Sequence, residues 1–517
     1  PGHSKKKVLA LLTGAPRSTT SLGASDLRPM GLTAPATALD IDEIPFSDLL
    51  LLLSPEVAAA AGDDADDNDR RRRRLLATIW AALGRGGTGL LAVVGVPRAA
   101  ALRRRILPLA RRLALMDHPS RAHILKKHGL GSDVPLKKPD RSVSSFAQLL
   151  RHDSGHKFHL PMSETAGGIG TGHGCLEEAT AEVDGFGEHK GDDDIDNLGV
   201  LFKELGLCMM ELGILVARAC DIVIGGNQLE QSIADFGSAK ARLIHYHSEL
   251  DNRIIRQSST NRRNLVNNAA ASVTPLWDHM DMSCYQKPGS EDRSCIRSDH
   301  GAAVAMSAQE NDSKEVGTQG RSSTISLVNL WQEWHYDYGV LTVLTAPLFL
   351  RSALGQECPD SEECSLPDGH THLQLFNKRR IFSVRCSPES FIVQVGEAAD
   401  ILSGGKLRST LHAVSRPLGL PNISRETFVV FLQPSWDQTL PCSGYSSADE
   451  DDSSDHLESA FRSDGSAGSC SEDILMQEIL KKIPPLSSRL KEGMTFAEFS
   501  RQTTKRYYGG GGIQQNN

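Results

Sequence analysis

Apolar residues follow two different patterns along the chain. The stretch LGVLFKELGLCMMELGILVARACDIVI is apolar over most of its length and predicts a buried core helix over 196–222. Five charged side chains interrupt it, which argues against a membrane span. ARLIHYHSEL (241–250) predicts a strand. The first half of the chain is therefore expected to be largely helical.

The second pattern begins near residue 325. From STISLVNLWQEWHYDYGVLTVLTAP to RETFVVFLQPSWD, short apolar runs alternate with glycine and proline turns, which is typical of an all-β region. Within it, ADILSGGKLRSTLHAV predicts two strands joined by a tight turn at Gly404-Gly405, with His412 on the returning strand. DILMQEILKKI and TFAEFSRQTTKRYY then predict C-terminal helices.

Two polar stretches separate these regions, and both predict disorder. One is rich in Ser, Asn, Asp and Gly, and the other is acidic. The chain is predicted to begin with a flexible segment (1–38), followed by a helical region with the first core strands (39–250) and a long polar insert (251–324). A β core (325–440), an acidic linker (441–473) and a C-terminal helical segment with a tail (474–517) are predicted to follow.

Composition adds limited constraints. The formal net charge of −8 gives no support for nucleic-acid binding. The ten cysteines form no CxxC pair, so a zinc ribbon is not supported and a reducing compartment is expected. PGHSKKKVLALLTGA has a basic head and a short apolar run, so organelle targeting stays open beside the cytoplasmic expectation.

The segment WHYDYG places His335 and Asp337 two residues apart at the start of an apolar run. On a strand, residues i and i+2 point to the same face, so the two side chains could hold one cation. His412 is the candidate third ligand, and two imidazoles with one carboxylate are the ligands of non-haem Fe(II) oxygenases. The alternatives are a structural hydrogen-bonded pair at 335 and 337 and an ordinary core histidine at 412.

The strand RETFVVFLQP carries a second unusual pair. Arg425 and Thr427 share a face of a strongly apolar strand, so a buried guanidinium and a hydroxyl lie side by side. A guanidinium binds a carboxylate in bidentate fashion, and the hydroxyl can add a further hydrogen bond. The alternative is an ion pair of Arg425 with Glu426 or another nearby acid.

These motifs resemble those of the 2-oxoglutarate- and Fe(II)-dependent dioxygenases, of the plant type that includes isopenicillin N synthase. HYDYGVLTVL resembles the family's HxDxGxLTxL, VGEAADILSGGKLRSTLHAV its distal histidine block, and RET its RxS pair. GTGLLAVVGVP and ARLIHYHS resemble its N-terminal motifs GFFxVxNHGVP and LRxNxYP more loosely. In the last of these, we take the asparagine to align with His245 and the tyrosine with His247.

The resemblance implies an α+β fold with a double-stranded β-helix (jelly-roll) core, flanking N- and C-terminal helices and disordered inserts. It implies Fe(II) bound by His335, Asp337 and His412. It also implies 2-oxoglutarate held by Arg425 and Thr427 with a contribution from His247, and O2 as the other cosubstrate. The expected reaction is oxidation of a small organic molecule with release of succinate and CO2; neither a nucleic acid nor a membrane is expected as a partner.

Other interpretations stay open. An iron oxidase of the same fold could work without 2-oxoglutarate, and a non-catalytic binding protein could use the pocket and the inserts. Two phosphate-binding motifs are rejected. GRGGTG (84–89) lies between a predicted helix and a following strand, the reverse of the dinucleotide-binding order, and SGGK lacks the first glycine of a P-loop.

Overall fold

The computed structural model describes residues 37–52, 63–132, 142–151, 191–258, 329–352, 361–442 except 379, and 483–507, together with 477, 479 and 481. These residues belong to one compact unit. Most of the predicted N-terminal segment, of the polar insert and of the acidic linker lies outside them.

The N-terminal half supplies most of the helices, as the apolar pattern predicted. They are α1 (Phe46–Leu50), α2 (Asp63–Leu83), α3 (Ala99–Leu115), α4 (His118–Lys127), α5 (Gly191–Asp196), α6 (Leu198–Ile224) and α7 (Gln228–Phe236). The central helix α6 begins and ends two residues later than predicted. It is followed by Gly225, whose backbone is left-handed. No helix among the described residues is both long enough and apolar enough to cross a membrane.

Strands appear in both halves. They are β1 (Thr37–Asp40), β2 (Glu43–Pro45), β3 (Leu90–Val94), β4 (Gly131–Ser132), β5 (Val143–Arg151), β6 (Ser238–Tyr246), β7 (Leu330–His335), β8 (Leu341–Thr345), β9 (Leu348–Ser352), β10 (Ser361–Cys364), β11 (Leu373–Asn377), β12 (Arg380–Arg385), β13 (Phe391–Val395), β14 (His412–Ser415) and β15 (Ile423–Leu432). Three further helices are α8 (Glu397–Leu402), α9 (Leu486–Arg489) and α10 (Phe496–Tyr507).

Two sheets form the core. The smaller has the order β1-β12-β11-β14-β7, and the larger has the order β2-β3-β13-β8-β15-β6-β5-β4, with β9 joined to β15 and β10 to β9. Most pairings are antiparallel. This mixed architecture, with its extensive antiparallel sheets, agrees with the predicted jelly-roll class.

Each face of the larger sheet has its own apolar cluster. One face, with residues such as Phe428 and Val430, packs against the helices. The other face, with Val429 and Ile244, packs with residues of the smaller sheet such as Leu375 and Val414. The period of two along β15 therefore directs alternate side chains into different compartments.

Two local predictions were wrong. Glu397–Leu402 is a short helix and not a strand, so Gly404 and Gly405 do not form a hairpin turn. Both glycines have positive φ and follow the helix end, where the left-handed conformation suits glycine. In addition, β7 ends at His335, so Asp337 lies in the connection to β8 and not on a strand.

Candidate metal and cosubstrate site

The structure brings His335, Asp337 and His412 together although Asp337 has left the strand. Their candidate ligand atoms all lie within 4.8 Å of one another. His335 and His412 are cross-strand partners at the ends of β7 and β14, and their ring centroids are 4.1 Å apart. Asp337 Oδ1 lies 3.9 Å from His335 Nε2.

Both imidazoles are oriented in the same way. Nδ1 of His335 donates to the main-chain oxygen of Glu333 at 2.7 Å, and Nδ1 of His412 donates to that of Thr410 at 3.0 Å. Since a carbonyl can only accept, Nδ1 carries a proton in each ring, and the lone pair of the neutral form is on Nε2. Metal-binding histidines are typically held by such a hydrogen bond from the other ring nitrogen.

The protonation state of His335 suits metal binding. Burial, and after it the neighbouring His412, lowers the pKa of His335 to about 4. The ring is therefore neutral at pH 7, and its Nε2 lone pair can bind a cation in place of the hydrogen bond that it accepts from Gln332 Nε2.

Two polar side chains fix the carboxylate. Thr342 Oγ1 donates to Asp337 Oδ2 at 2.7 Å, and Gln394 Nε2 donates to the same oxygen at 3.1 Å. Gln394 Nε2 also lies 3.0 Å from His412 Nδ1 and 3.3 Å from its Nε2. Oδ2 is thus occupied by donors, while Oδ1 faces the histidines. Two imidazoles and one oriented carboxylate fit a non-haem ferrous ion.

Arg425 and Thr427 occupy the compartment between the sheets, as their shared face predicted. Arg425 is 3% exposed and Thr427 is 1% exposed. Burial lowers the pKa of Arg425. Its Nε donates to the main-chain oxygen of Thr371 at 3.1 Å, and no carboxylate of the described residues lies within ion-pair distance of it. A buried guanidinium without an acidic partner fits an anionic ligand.

Pairing of Arg425 with Glu426, the alternative drawn from the sequence, is not what the structure shows. Glu426 points to the helix side of the sheet, where His245 Nδ1 and the hydroxyl of Ser424 contact its carboxylate. Burial raises the pKa of Glu426, and His245 opposes that shift.

His247 also lies on the helix side, which corrects its predicted place beside Arg425. Its ring stacks on that of His245 with centroids 4.7 Å apart, and its two nitrogens contact Ser144 Oγ and Asn252 Oδ1, each at 2.9 Å. The reason is the strand period: Tyr246 pairs with Arg425, so the residues on either side of Tyr246 face away.

Tyr246 takes the position that was predicted for His247. The guanidinium carbon of Arg425 lies 5.1 Å from the centre of its ring. In the motif LRxNxYP the tyrosine stands four residues after the arginine, and counting from Arg242 gives Tyr246. Correct spacing would therefore have found this residue.

A hydrogen-bonded chain connects the Arg425 end of the compartment to the histidines. The hydroxyl of Tyr246 donates to Gln332 Oε1 at 2.8 Å, and Gln332 Nε2 donates to His335 Nε2 at 2.8 Å. Nothing in WQEWH singled out Gln332. Gln394 had a signal, because a buried amide that interrupts the apolar run FIVQV requires polar partners.

A family model matches the part of the chain that carries much of this site. Residues 364–434 match the model of the 2OG-Fe(II) oxygenase superfamily, a segment that contains His412, Arg425 and Thr427. The match confirms the resemblance seen in the motifs. The cofactors of that family are the predicted ones, Fe(II), 2-oxoglutarate and O2. No curated protein matches the chain by sequence.

Solved structures that match the chain include a full-length Neurospora crassa protein in complex with alpha-KG, at 13% identity and TM-score 0.40, covering 85% of this chain and 95% of that one. JOX2 in complex with 2OG, Fe and JA has 14% identity and TM-score 0.38, covering 86% and 92%. The dioxygenase for auxin oxidation 1 from Arabidopsis thaliana, in a 2-oxoglutarate complex, has 12% identity and TM-score 0.36, covering 79% and 98%.

Proposed function

We propose that this protein is an Fe(II)- and 2-oxoglutarate-dependent oxygenase that oxidises a small organic substrate, by default through hydroxylation, with release of succinate and CO2. The observation that carries the proposal is the pairing of two sites in one compartment. A set of two histidines and an aspartate lies at one end, and a buried guanidinium without an acidic partner among the described residues lies at the other.

Arg425 is the proposed anchor for the distal carboxylate of 2-oxoglutarate. Its guanidinium can donate two hydrogen bonds to that group, and the hydroxyl of Thr427 can add one. The ring of Tyr246 lies against the guanidinium and restricts its orientation. Binding a dicarboxylate here would supply the charge that a buried arginine otherwise lacks.

His335, Asp337 and His412 are the proposed iron ligands. Ferrous iron would supply O2 activation coupled to oxidative decarboxylation of the 2-oxo acid. The chain contributes three oriented donors and leaves the remaining coordination positions open. Apolar side chains line the compartment and limit access of water: Leu373, Leu375, Ile392, Val414 and Val429.

The test is an anaerobic titration of the full chain with Fe(II) and 2-oxoglutarate, followed by the visible absorbance band of a metal-chelated 2-oxo acid. We expect a band in the wild type that is abolished in His335→Ala and strongly weakened in Arg425→Ala. His123→Ala and Arg104→Ala are matched controls, because both side chains are exposed and lie on other elements. They should leave the band unchanged.

The other outcomes favour the alternatives. Stoichiometric iron binding without a band would support the iron oxidase that works without 2-oxoglutarate. Absence of iron binding would overturn the proposal and support a non-catalytic binding protein. With a band established, succinate release during a screen of small organic compounds would identify the substrate.

A further inference from the structure

A second group of metal-binding side chains lies in the segment that leads into β11. Candidate ligand atoms of Asp368, His370 and His372 all lie within 4.8 Å of one another. The rings of His370 and His372 are 4.4 Å apart, and His372 Nε2 lies 3.8 Å from Asp368 Oδ2. We refer to these three residues as the peripheral cluster.

The backbone brings the peripheral cluster together. In an extended chain the Cα atoms of residues i and i+4 are separated by roughly 13 Å. Here Asp368 and His372 both adopt left-handed backbone conformations, with φ of 56° and 58°, and the chain between them curls. The three side chains consequently converge. Asp368 is exposed, His370 is half-buried and His372 is buried.

The histidines of the peripheral cluster have replaceable partners. His370 Nδ1 accepts a hydrogen bond from the main-chain amide of His372 at 3.2 Å. His372 Nε2 lies 3.2 Å from the main-chain oxygen of Pro367. His372 Nδ1 lies 3.2 Å from Ser415 Oγ. Because the Pro367 carbonyl can only accept, Nε2 of His372 carries the proton in this arrangement. A cation bound at Nε2 would shift that proton to Nδ1, where Ser415 Oγ can accept it.

We propose that Asp368, His370 and His372 form a second site, for a divalent transition ion of the imidazole-preferring kind such as Zn²⁺. Two imidazoles and a carboxylate suit such an ion, and the remaining positions can be filled by water or the oxygen of Pro367. The site is separate from the candidate iron site: Ser415 is three residues beyond His412 on β14, roughly 10 Å along the strand.

An ion in the peripheral cluster would brace the segment next to the proposed cosubstrate anchor. Thr371 lies between the two histidines, and its main-chain oxygen accepts from Arg425 Nε at 3.1 Å. Its hydroxyl donates to the main-chain oxygen of Val384 at 2.7 Å, which ties the segment to β12. The peripheral cluster itself, however, requires no assumption about the reaction.

The test measures Zn²⁺ binding to the full chain after the candidate iron ligands have been removed. In the double variant His335→Ala/His412→Ala, calorimetric titration should show a tight Zn²⁺ equivalent. Adding His370→Asn should remove one equivalent, or weaken it at least tenfold. Adding His123→Asn instead, on the exposed face of α4, should not change it. The difference between these two matched triple variants cancels binding by other histidines and cysteines.

Thermal unfolding gives a second readout. Zn²⁺ should raise the midpoint of the double variant and of the His123→Asn triple variant by several degrees, and raise that of the His370→Asn variant less. Equal Zn²⁺ stoichiometry and affinity in the two triple variants would overturn the proposal. Because the double variant lacks the iron ligands, failure of the proposed oxygenase function would leave this result unaffected.

Discussion

The amide nitrogen of Glu397 donates a 2.8 Å hydrogen bond to the main-chain oxygen of Asp337, so α8 holds the connection that carries a candidate iron ligand. The backbones are so close that a Cβ on Gly396 would lie 2.2 Å from the oxygen of Gly339 and 3.0 Å from that of Asp337. Gly396 is therefore required for this approach.

A buried ion pair joins the C-terminal segment to α8, the helix that holds the Asp337 connection. Arg489, 1% exposed, pairs with both carboxylate oxygens of Glu397 and donates from Nη1 to Thr503 Oγ1 at 2.9 Å. The ring of Tyr338 lies 6.0 Å from that of Phe496 on α10. The C-terminal helices thus pack against the Asp337 connection although they are distant in sequence.

Replacing Arg489 should destabilise the protein and weaken iron binding. Arg489→Met leaves the buried Glu397 carboxylate unpaired, which costs about 3–5 kcal/mol of unfolding free energy. Urea unfolding measures this loss, and Fe(II) titration measures the effect on Asp337. The double variant Glu397→Leu/Arg489→Met should recover part of the stability, because it removes the unpaired charge. If Arg489→Met were as stable as wild type, the ion pair would have no structural role.

Gln394 should control iron affinity without binding the metal. Its amide orients Asp337 Oδ2, and loss of such an outer partner typically lowers metal affinity by about 10–100-fold. We expect this loss in Gln394→Leu, measured by competitive Fe(II) titration under anaerobic conditions. Gln231→Leu, an exposed glutamine on α7, is the matched control. An unchanged affinity in Gln394→Leu would contradict the positioning role.

Tyr246, and not His247, should affect 2-oxoglutarate binding. Tyr246→Phe removes the hydroxyl that donates to Gln332 and keeps the ring against Arg425, so we expect up to about tenfold weaker 2-oxoglutarate binding at unchanged iron affinity. His247→Gln should instead lower the unfolding free energy and leave cosubstrate affinity within about twofold. The chelate absorbance band measures the dissociation constant of 2-oxoglutarate in each variant. Weaker binding in His247→Gln than in Tyr246→Phe would instead support the prediction made for His247.

The thiol of Cys220 should make stability fall at alkaline pH. Burial raises the pKa of Cys220 to about 12, against 9.0 for an ordinary thiol. The unfolded thiol therefore ionises near pH 9 while the folded one stays protonated, so its contribution is intact below pH 9 and is lost as the pH rises towards 12. Under reducing conditions, the free energy of unfolding of the wild type should fall by roughly 1 kcal/mol more per pH unit within this window than that of Cys220→Ala. Parallel urea curves at pH 8.5 and 10.5 test the difference.

The sequence by itself determined the chemistry of the candidate site. The spacing of His335 and Asp337, the later His412 and the shared face of Arg425 and Thr427 were all readable, because ligand identity and strand period are local properties. The buried helix α6 was equally readable, since its apolar character extends over many turns.

Tertiary structure decided how these residues meet. Asp337 joins the histidines from a connection and not from a strand, because Thr342, Gln394 and the N-terminus of α8 hold it from other parts of the chain. The face on which Tyr246 lies was fixed by its register with Arg425, and a shift of one residue exchanges the two sides of a sheet. The pairing of Arg489 with Glu397 joins positions 92 residues apart. Local sequence patterns carry no signal for contacts of this kind, which depend on packing of the whole fold.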